Sequence, residues 1–340
     1  MKDLTGKVAP PFFDANMGQQ VRTVFIAGGS TGLGRDLAIS LAKRGCHITI
    51  FARRQQKLDE ARSEVLAVRK HASQEITVQS LDLSDATKIK EIFQSQPRLP
   101  DILYCVAGGT TNELGFLVDL DADAISRCMT NNYLTSAYPA QAMLKLWTED
   151  DKTFQPAAGC QPAPKPRQLV FVSSAASFVA FPGYTVYTPA KCAVRALADT
   201  LRCELMRYSG PASQYSVHIA FPSNFISPSF IDEQNTKPPL TKELEGTTAP
   251  LSELSKKLHS SKQVADAIIA AVDKQQFIIC SEYEASLLFG GMMGLSPRRG
   301  FGIVDSIVAI VSVIVWPLVR RWFDWTIAKD KAYIGSAGRK

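Results

Sequence analysis

The chain reads as an α/β protein built on a doubly wound parallel sheet, with a hydrophobic, membrane-associated tail at its C-terminal end. Three observations predict this. Strand-type apolar runs alternate with helical stretches between residues 21 and 282, the pattern of a parallel sheet covered on both faces. The first run leads directly into a glycine-rich turn and a helical pattern, as at the start of a dinucleotide-binding unit. Beyond residue 282 the composition turns apolar, and residues 301–319 (FGIVDSIVAIVSVIVWPLV) carry a single carboxylate, Asp305.

Residues 1–20 lack the apolar stretch of a signal peptide and are expected to form an N-terminal extension. The domain at 21–282 is therefore expected on the cytosolic side. Strands are expected at 21–27, 47–51, 76–81, 102–106, 168–173, 215–221 and 277–280, with helices between them. Two segments break the rhythm. Residues 149–167 (EDDKTFQPAAGCQPAPKPR) are rich in proline and charge and read as an exposed loop insertion. Residues 228–260 follow the sixth strand closely enough to cover a site there, either as a mobile lid or as a plain surface connection.

Composition bounds the class. With 340 residues, 46% hydrophobic and 21% charged, the chain can bury a large core and is not disordered. Its formal charge of +6 is modest, and no nucleic-acid partner is expected. The seven cysteines are scattered and odd in number, with no C-x-x-C or Cys/His cluster. Reduced thiols are expected, with neither a metal site nor a disulfide framework.

The glycine turn is Gly28-Gly29-Ser30-Thr31-Gly32-Leu33-Gly34. Glycines let the backbone approach a pyrophosphate, and the N-terminus of the next helix faces its charge. The expected contacts are Gly28, Ser30, Thr31, Gly32 and Gly34. The second strand ends at Ala52-Arg53-Arg54, with no carboxylate for a ribose 2′-hydroxyl. Arg53, supported by Lys57 or Arg54, instead suits a 2′-phosphate, so NADPH/NADP is the expected cofactor.

Tyr187 and Lys191 are four residues apart, so on a helix phenol and ammonium share a face. A nearby cation favours the phenolate, making the pair a proton donor or acceptor for a carbonyl/alcohol couple. Ser173 and Ser174, on a neighbouring strand end, offer a hydroxyl to hold the carbonyl oxygen.

Together these features resemble the short-chain dehydrogenase/reductase family over roughly residues 20 to 282, which implies a Rossmann-type fold. The resemblance implies an adenine contact at Asp82-Leu83 and a turn at Cys105-Val106-Ala107-Gly108 in place of the family's Asn-Asn-Ala-Gly. It also implies a catalytic tetrad of Asn132, Ser174, Tyr187 and Lys191, in which Asn132 acts through a bound water and Lys191 also binds the ribose. The family's spacing to the tyrosine favours Ser174, with Ser173 as the alternative. Pro222 and Ser227 stand where the family contacts the nicotinamide carboxamide. Ala27, Cys105, Val106 and Ser223 depart from the family pattern but leave the tetrad intact. A homo-oligomer rests on the resemblance alone.

Within the family, GGSTGLG, FARR, NNYLTSAYPAQAM and the apolar tail are most similar to the branch that reduces a long-chain keto-amine lipid in sphingolipid synthesis. That branch implies a location at the cytosolic face of the endoplasmic reticulum membrane. Retinaldehyde or a ketosteroid would suit a membrane-held reductase equally well. Two other classes also remain. Gly28-x-Ser30-x-Gly32 satisfies the G-x-S-x-G elbow of serine hydrolases, with Ser30 as nucleophile, and a non-catalytic NADP-binding membrane adaptor would share the cofactor site.

The tail at 283–340 is expected to anchor the protein. Its nineteen-residue run just meets the length needed to span a bilayer, and Trp316, Trp322 and Trp325 with Arg320 and Arg321 suit an interface. A buried dimerisation helix is the soluble alternative. Basic residues lie on both sides, Arg298 and Arg299 before and Arg320, Arg321, Lys329, Lys331, Arg339 and Lys340 after. A single crossing and a hairpin with the short apolar run at 285–295 are both open.

Overall fold

The computed structural model describes residues 21–110, 113–155, 162–292 and 299–337. The expected N-terminal extension, Cys160, Arg298, Arg339 and Lys340 lie outside the described residues.

Strands β1 (Thr23–Ala27), β2 (His47–Ala52), β3 (Ile76–Ser80), β4 (Ile102–Cys105), β5 (Lys165–Val172), β6 (Ser213–Ala220) and β9 (Ile278–Ile279) form one parallel sheet in the order β3-β2-β1-β4-β5-β6-β9. A separate pair, β7 (Phe225–Ile226) and β8 (His259–Ser260), has no counterpart in the sequence reading, because two-residue strands carry no periodicity. The sheet order reverses where β1 pairs with both β2 and β4. Ligands bind at such a reversal, beyond the strands' carboxyl ends.

Strand alternation divides the core. In β1, Val24 and Ile26 face the layer of α1 (Gly32–Lys43), α2 (Gln55–Ala67) and α10 (Ser261–Asp273), while Phe25 and Ala27 face α3 (Ala86–Gln94), α5 (Thr135–Lys152) and α6 (Tyr187–Tyr208). On the second face the rings of Phe25, Phe51 and Phe93 meet at centroid distances of 5.1, 5.6 and 4.9 Å. Burial of each stabilises the fold by roughly 1.5–3 kcal/mol.

The expected loop at 149–167 is shorter than its composition suggests. α5 runs on to Lys152 and β5 starts at Lys165. Asp150 pairs with Lys165 at 2.8 Å and with the buried Arg167, while Asp151 accepts hydrogen bonds from Ser213 and Tyr215 at 2.5 and 2.7 Å. The acidic pair thus ties two strands together, and both ends of the segment belong to regular elements. Proline and charge suggested exposure because two of the partners, Ser213 and Tyr215, lie outside the segment.

Residues 228–260 fold into α7 (Pro228–Thr236), α8 (Pro239–Leu244) and α9 (Leu251–Lys257). Proline stands in the first turn of α7 and α8, where its missing N–H costs nothing. The β7–β8 ladder fastens both ends of this cover, pairing Phe225 with His259 and Ile226 with Ser260.

After the sheet, α11 (Tyr283–Met292) packs with the domain rather than apart from it, contrary to the expected boundary at 282. Ala285 and Phe289 are fully buried, and the Phe289 ring lies 5.7 Å from Phe178. The long helix α12 (Ile303–Ala337) lies against α11. Ile303–Phe323 is long and apolar enough to cross a membrane by length and composition. Its carboxylate, Asp305, is buried and paired with Arg299 at 2.7 Å, and Arg299 also donates to Ser286 Oγ of α11 at 3.3 Å. Ser312 Oγ donates to the Leu287 carbonyl at 2.9 Å. These bonds supply the partner that a buried charge requires. Further along, Phe323 packs on Leu240 and Leu244 of α8, with its ring 5.4 Å from Phe181.

Candidate active site

One cavity of about 1610 Å³ opens at the carboxyl edge of the sheet and collects nearly all the residues singled out from the sequence. Gly28, Ser30, Thr31, Gly32 and Gly34 line one end, where β1 turns into α1. Gly28 sits at φ 95°, and a Cβ there would fall 2.4 Å from the Ala107 amide nitrogen. A Cβ on Gly34 would fall 2.1 Å from the Gly28 carbonyl oxygen. Only bare backbone fits, which brings strand, turn and helix together. No side chain caps α1 at Thr31, so its first N–H groups remain available to an anion. This cradle fits a dinucleotide's pyrophosphate.

Arg53, Lys57, Asp82 and Leu83 line the same end. Arg53 and Arg54 are exposed after β2, while Lys57 shares its charge with Glu60 at 2.7 Å. Asp82 accepts the Ser84 N–H at 2.9 Å and its hydroxyl at 2.7 Å. These bonds, the backbone one foremost, with Arg53 nearby, hold its carboxyl below the usual range. Leu83 is buried.

At the centre stand Tyr187, at the first turn of α6, and Lys191 one turn on. The Lys191 Nζ lies 5.6 Å from the Tyr187 ring centroid and donates to the Val172 carbonyl at 3.3 Å. Burial pushes the Lys191 ammonium down to about 8. Burial above all, and then Glu233, pushes the Tyr187 phenol up, while the Ser174 hydroxyl beside it acts in the opposite direction. The balance therefore departs from the expected lowering by Lys191. In a low-dielectric wall the penalty on a charged phenolate outweighs a neighbouring cation that is itself desolvated.

The two serines separate cleanly. Ser174 is partly exposed to the cavity, next to the phenol, and its Oγ accepts the Ala176 N–H at 3.2 Å. Ser173 is only 3% exposed and donates its hydroxyl to the Lys191 carbonyl at 3.0 Å, inside α6's packing. Both residues line the cavity, but the Ser173 hydroxyl is engaged by α6, whereas that of Ser174 lies beside the phenol.

Asn132 has no exposed surface and sits in a π-helical turn, Thr130–Leu134, between α4 (Ala122–Met129) and α5. Its Oδ1 accepts the Gly109 N–H at 3.0 Å, and its Nδ2 donates to the carbonyls of Gly109 and Cys128 at 3.0 and 3.1 Å. The side-chain amide is thus committed to the turn after β4. Such π-turns often mark functional sites, because the extra residue re-aims the helix. Ser227 lines the cavity too, and its Oγ caps α7 by accepting the Phe230 N–H at 3.1 Å.

Sequence reasoning missed the opposite wall. Glu233 of α7 pairs with Lys237 at 2.5 Å and accepts hydrogen bonds from Tyr184, at 3.0 Å, and from Thr110. Lys237 also pairs with Glu245. These residues come from three separate segments, so no local motif marks them. Ser30, in turn, gains no histidine. Among the described residues His259 pairs with Glu282 at 3.2 Å, His47 meets Arg98 at 3.1 Å and the buried His218 meets the Gln276 carbonyl at 2.7 Å. Among the described residues no histidine is hydrogen-bonded to Ser30, as the nucleophile of a hydrolase requires. No group of three His, Cys, Asp or Glu side chains among the described residues could hold a metal ion.

The family described as short chain dehydrogenase matches residues 22–209. A 3-ketodihydrosphingosine reductase from Aspergillus fumigatus is 32% identical, the alignment covering 89% of this chain and 84% of the relative. One from Neurospora crassa is 33% identical over 91% of this chain and 82% of the relative. A 3-dehydrosphinganine reductase from Danio rerio is 28% identical over 81% and 75%. Among solved structures, a short-chain dehydrogenase from Sphingobium yanoikuyae in complex with NADPH superposes with a TM-score of 0.62 at 19% identity, covering 82% of this chain and 98% of that one. With a family match over more than half its length and relatives above 30% identity spanning most of it, the chain belongs to the short-chain dehydrogenase family.

Proposed function

We propose that the chain uses NADPH to reduce the keto group of 3-ketodihydrosphingosine to the alcohol of dihydrosphingosine, at the cytosolic face of the endoplasmic reticulum membrane. The observation that carries this reading is the meeting of Ser174, Tyr187 and Lys191 in the cavity that also holds the glycine cradle. Its substrate rests on relatives named for that reaction. When bound, NADPH supplies the hydride. Ser174 orients the ketone oxygen, and Tyr187, kept protonated by burial, gives that oxygen its proton. Lys191 stands under the phenol and is placed to hold the ribose. Asn132 acts as a positioning residue, fixing Gly109 and the turn beside the lysine. A panel of 3-ketodihydrosphingosine, retinaldehyde and a ketosteroid with purified protein and NADPH tests the reading. Preference for either of the latter would overturn it.

Arg53 carries the cofactor choice. Arg53→Ala should weaken NADPH relative to NADH by about 10-fold or more, the loss of a charge-assisted phosphate contact. Steady-state KM values for both cofactors measure it, and an unchanged ratio would assign the 2′-phosphate elsewhere.

The tail supports attachment within one leaflet. Ile303, Ile307, Ile310, Ile314, Leu318 and Trp325 are exposed on one stripe of α12. Its other face is held at both ends, at one through Asp305 and Arg299 to Ser286 of α11, which packs into the domain, and at the other through Phe323 on α8. Those anchors are eighteen residues apart, about 27 Å of helix. A crossing would carry one of them through most of a hydrocarbon layer about 30 Å thick. Lying in the plane keeps both contacts and buries the stripe among acyl chains. In sealed microsomes, an epitope placed after Lys340 should be cleaved by protease from the same side as the catalytic domain, and deletion of 303–340 should release the protein at high salt. A lumenally protected epitope would establish a crossing.

A further inference from the structure

The wall facing Tyr187 carries Glu233 and Glu245, whereas at the cofactor end Arg35, Arg53, Arg54 and Lys57 are interspersed with Glu60, Glu64 and Asp82. Glu233 and Glu245 both grip the Nζ of Lys237, whose side chain has no exposed surface. The arrangement sets two carboxylates against one ammonium in a wall where unpaired charge is costly. Both hydroxyls that reach Glu233, those of Tyr184 and Thr110, donate to it, which holds it as an acceptor. A second, independent feature lies on the same wall. Thr247, two residues beyond Glu245 and 3% exposed, has a hydroxyl with no hydrogen-bond partner among the described residues. Buried hydroxyls are rarely left so unless something else completes them.

The wall also reaches the reacting centre. The Tyr184 ring, bonded to Glu233, lies 5.5 Å from the Tyr187 ring. The field of Glu233 is felt at the Tyr187 phenol, where it raises the proton affinity. A carboxylate so placed would favour a cation one or two bonds from the carbonyl being reduced.

We infer that this wall is a subsite for a substrate ammonium, with Glu233 as the counter-charge that selects an amino ketone over a plain ketone. The inference rests on the proposed reductase activity and deepens it. No bond is made or broken at the subsite; it fixes which carbonyl is presented to Tyr187. Burial raises the Glu245 carboxyl towards its neutral form, so Glu233, which lines the cavity, is the carboxylate of the group that an entering ammonium meets.

The test compares two ketones of equal chain length, one carrying the 2-amino group and one with hydrogen in its place. The wild-type enzyme should favour the amino ketone in kcat/KM by about 10- to 100-fold, the worth of a hydrogen bond to a charged group. Glu233→Gln should bring that ratio close to one, mainly through KM of the amino ketone, with NADPH binding retained. A variant that loses both substrates equally would show Glu233 to be only a brace for α7 and would overturn the inference. Inhibition of the wild type by a long-chain primary alkylammonium and by the matching alcohol gives an answer independent of any variant. The ammonium should bind at least about 10-fold more tightly, and equal inhibition would overturn the subsite. Turnover of both ketones without preference would reject the subsite and leave the reductase reading standing. Turnover of neither would reject both.

Discussion

Replacing Tyr187 by phenylalanine should lower kcat by about 10²- to 10⁴-fold, the usual worth of a positioned general acid, while the NADPH affinity stays within a few fold of the wild type. The ring would still stack 5.5 Å from Tyr184 and beneath Lys191, so the variant should fold. Only the proton is removed. Single-turnover reduction, paired with cofactor fluorescence titration, reads both quantities. Residual turnover above a tenth of wild type would move the acid elsewhere. Burial raises the phenol, so it holds its proton through neutral pH, the form a proton donor requires.

Gly34→Ala should weaken dinucleotide binding, because the new methyl would lie 2.1 Å from the Gly28 carbonyl oxygen and 2.8 Å from the Gly29 Cα. Both neighbours are backbone, so relief requires moving the turn or the start of α1 off the strand. Such overpacking typically costs about 1–3 kcal/mol, and here it falls on the surface that would face the pyrophosphate. The expected result is a rise of at least about 10-fold in the NADPH dissociation constant, since about 1.4 kcal/mol is tenfold. Gly210→Ala, where a Cβ meets nothing within 4 Å, is the matched control. Equal affinity in the two variants would mean that the turn does not hold the cofactor.

Much of the fold was legible because its signals are local. A parallel strand buried on both faces is a short apolar run, and a glycine turn between such a run and a helix has few alternatives. The errors also have local causes. Asp150 and Asp151 read as a solvated loop, since Ser213 and Tyr215, which hold Asp151, are elsewhere in the chain and Arg167, which holds Asp150, is buried only by the fold. The segment at 283–340 read as one detached tail, since hydrophobicity cannot distinguish a residue such as Phe289, which enters the core, from Ile314, which faces outward.

The sequence by itself determined the doubly wound α/β architecture, the cofactor end of the cavity, the Tyr187/Lys191 pair and the apolar tail, because each is encoded by periodicity or by spacing within one element. Only the tertiary structure separated Ser174 from Ser173, committed the Asn132 amide to the turn at Gly109, reversed the expected direction of the Tyr187 shift and assembled Glu233, Lys237, Tyr184 and Thr110 beside it. The physical reason is range. Backbone pattern acts over one turn or one strand, whereas burial and charge at a site are set by every segment that packs around it.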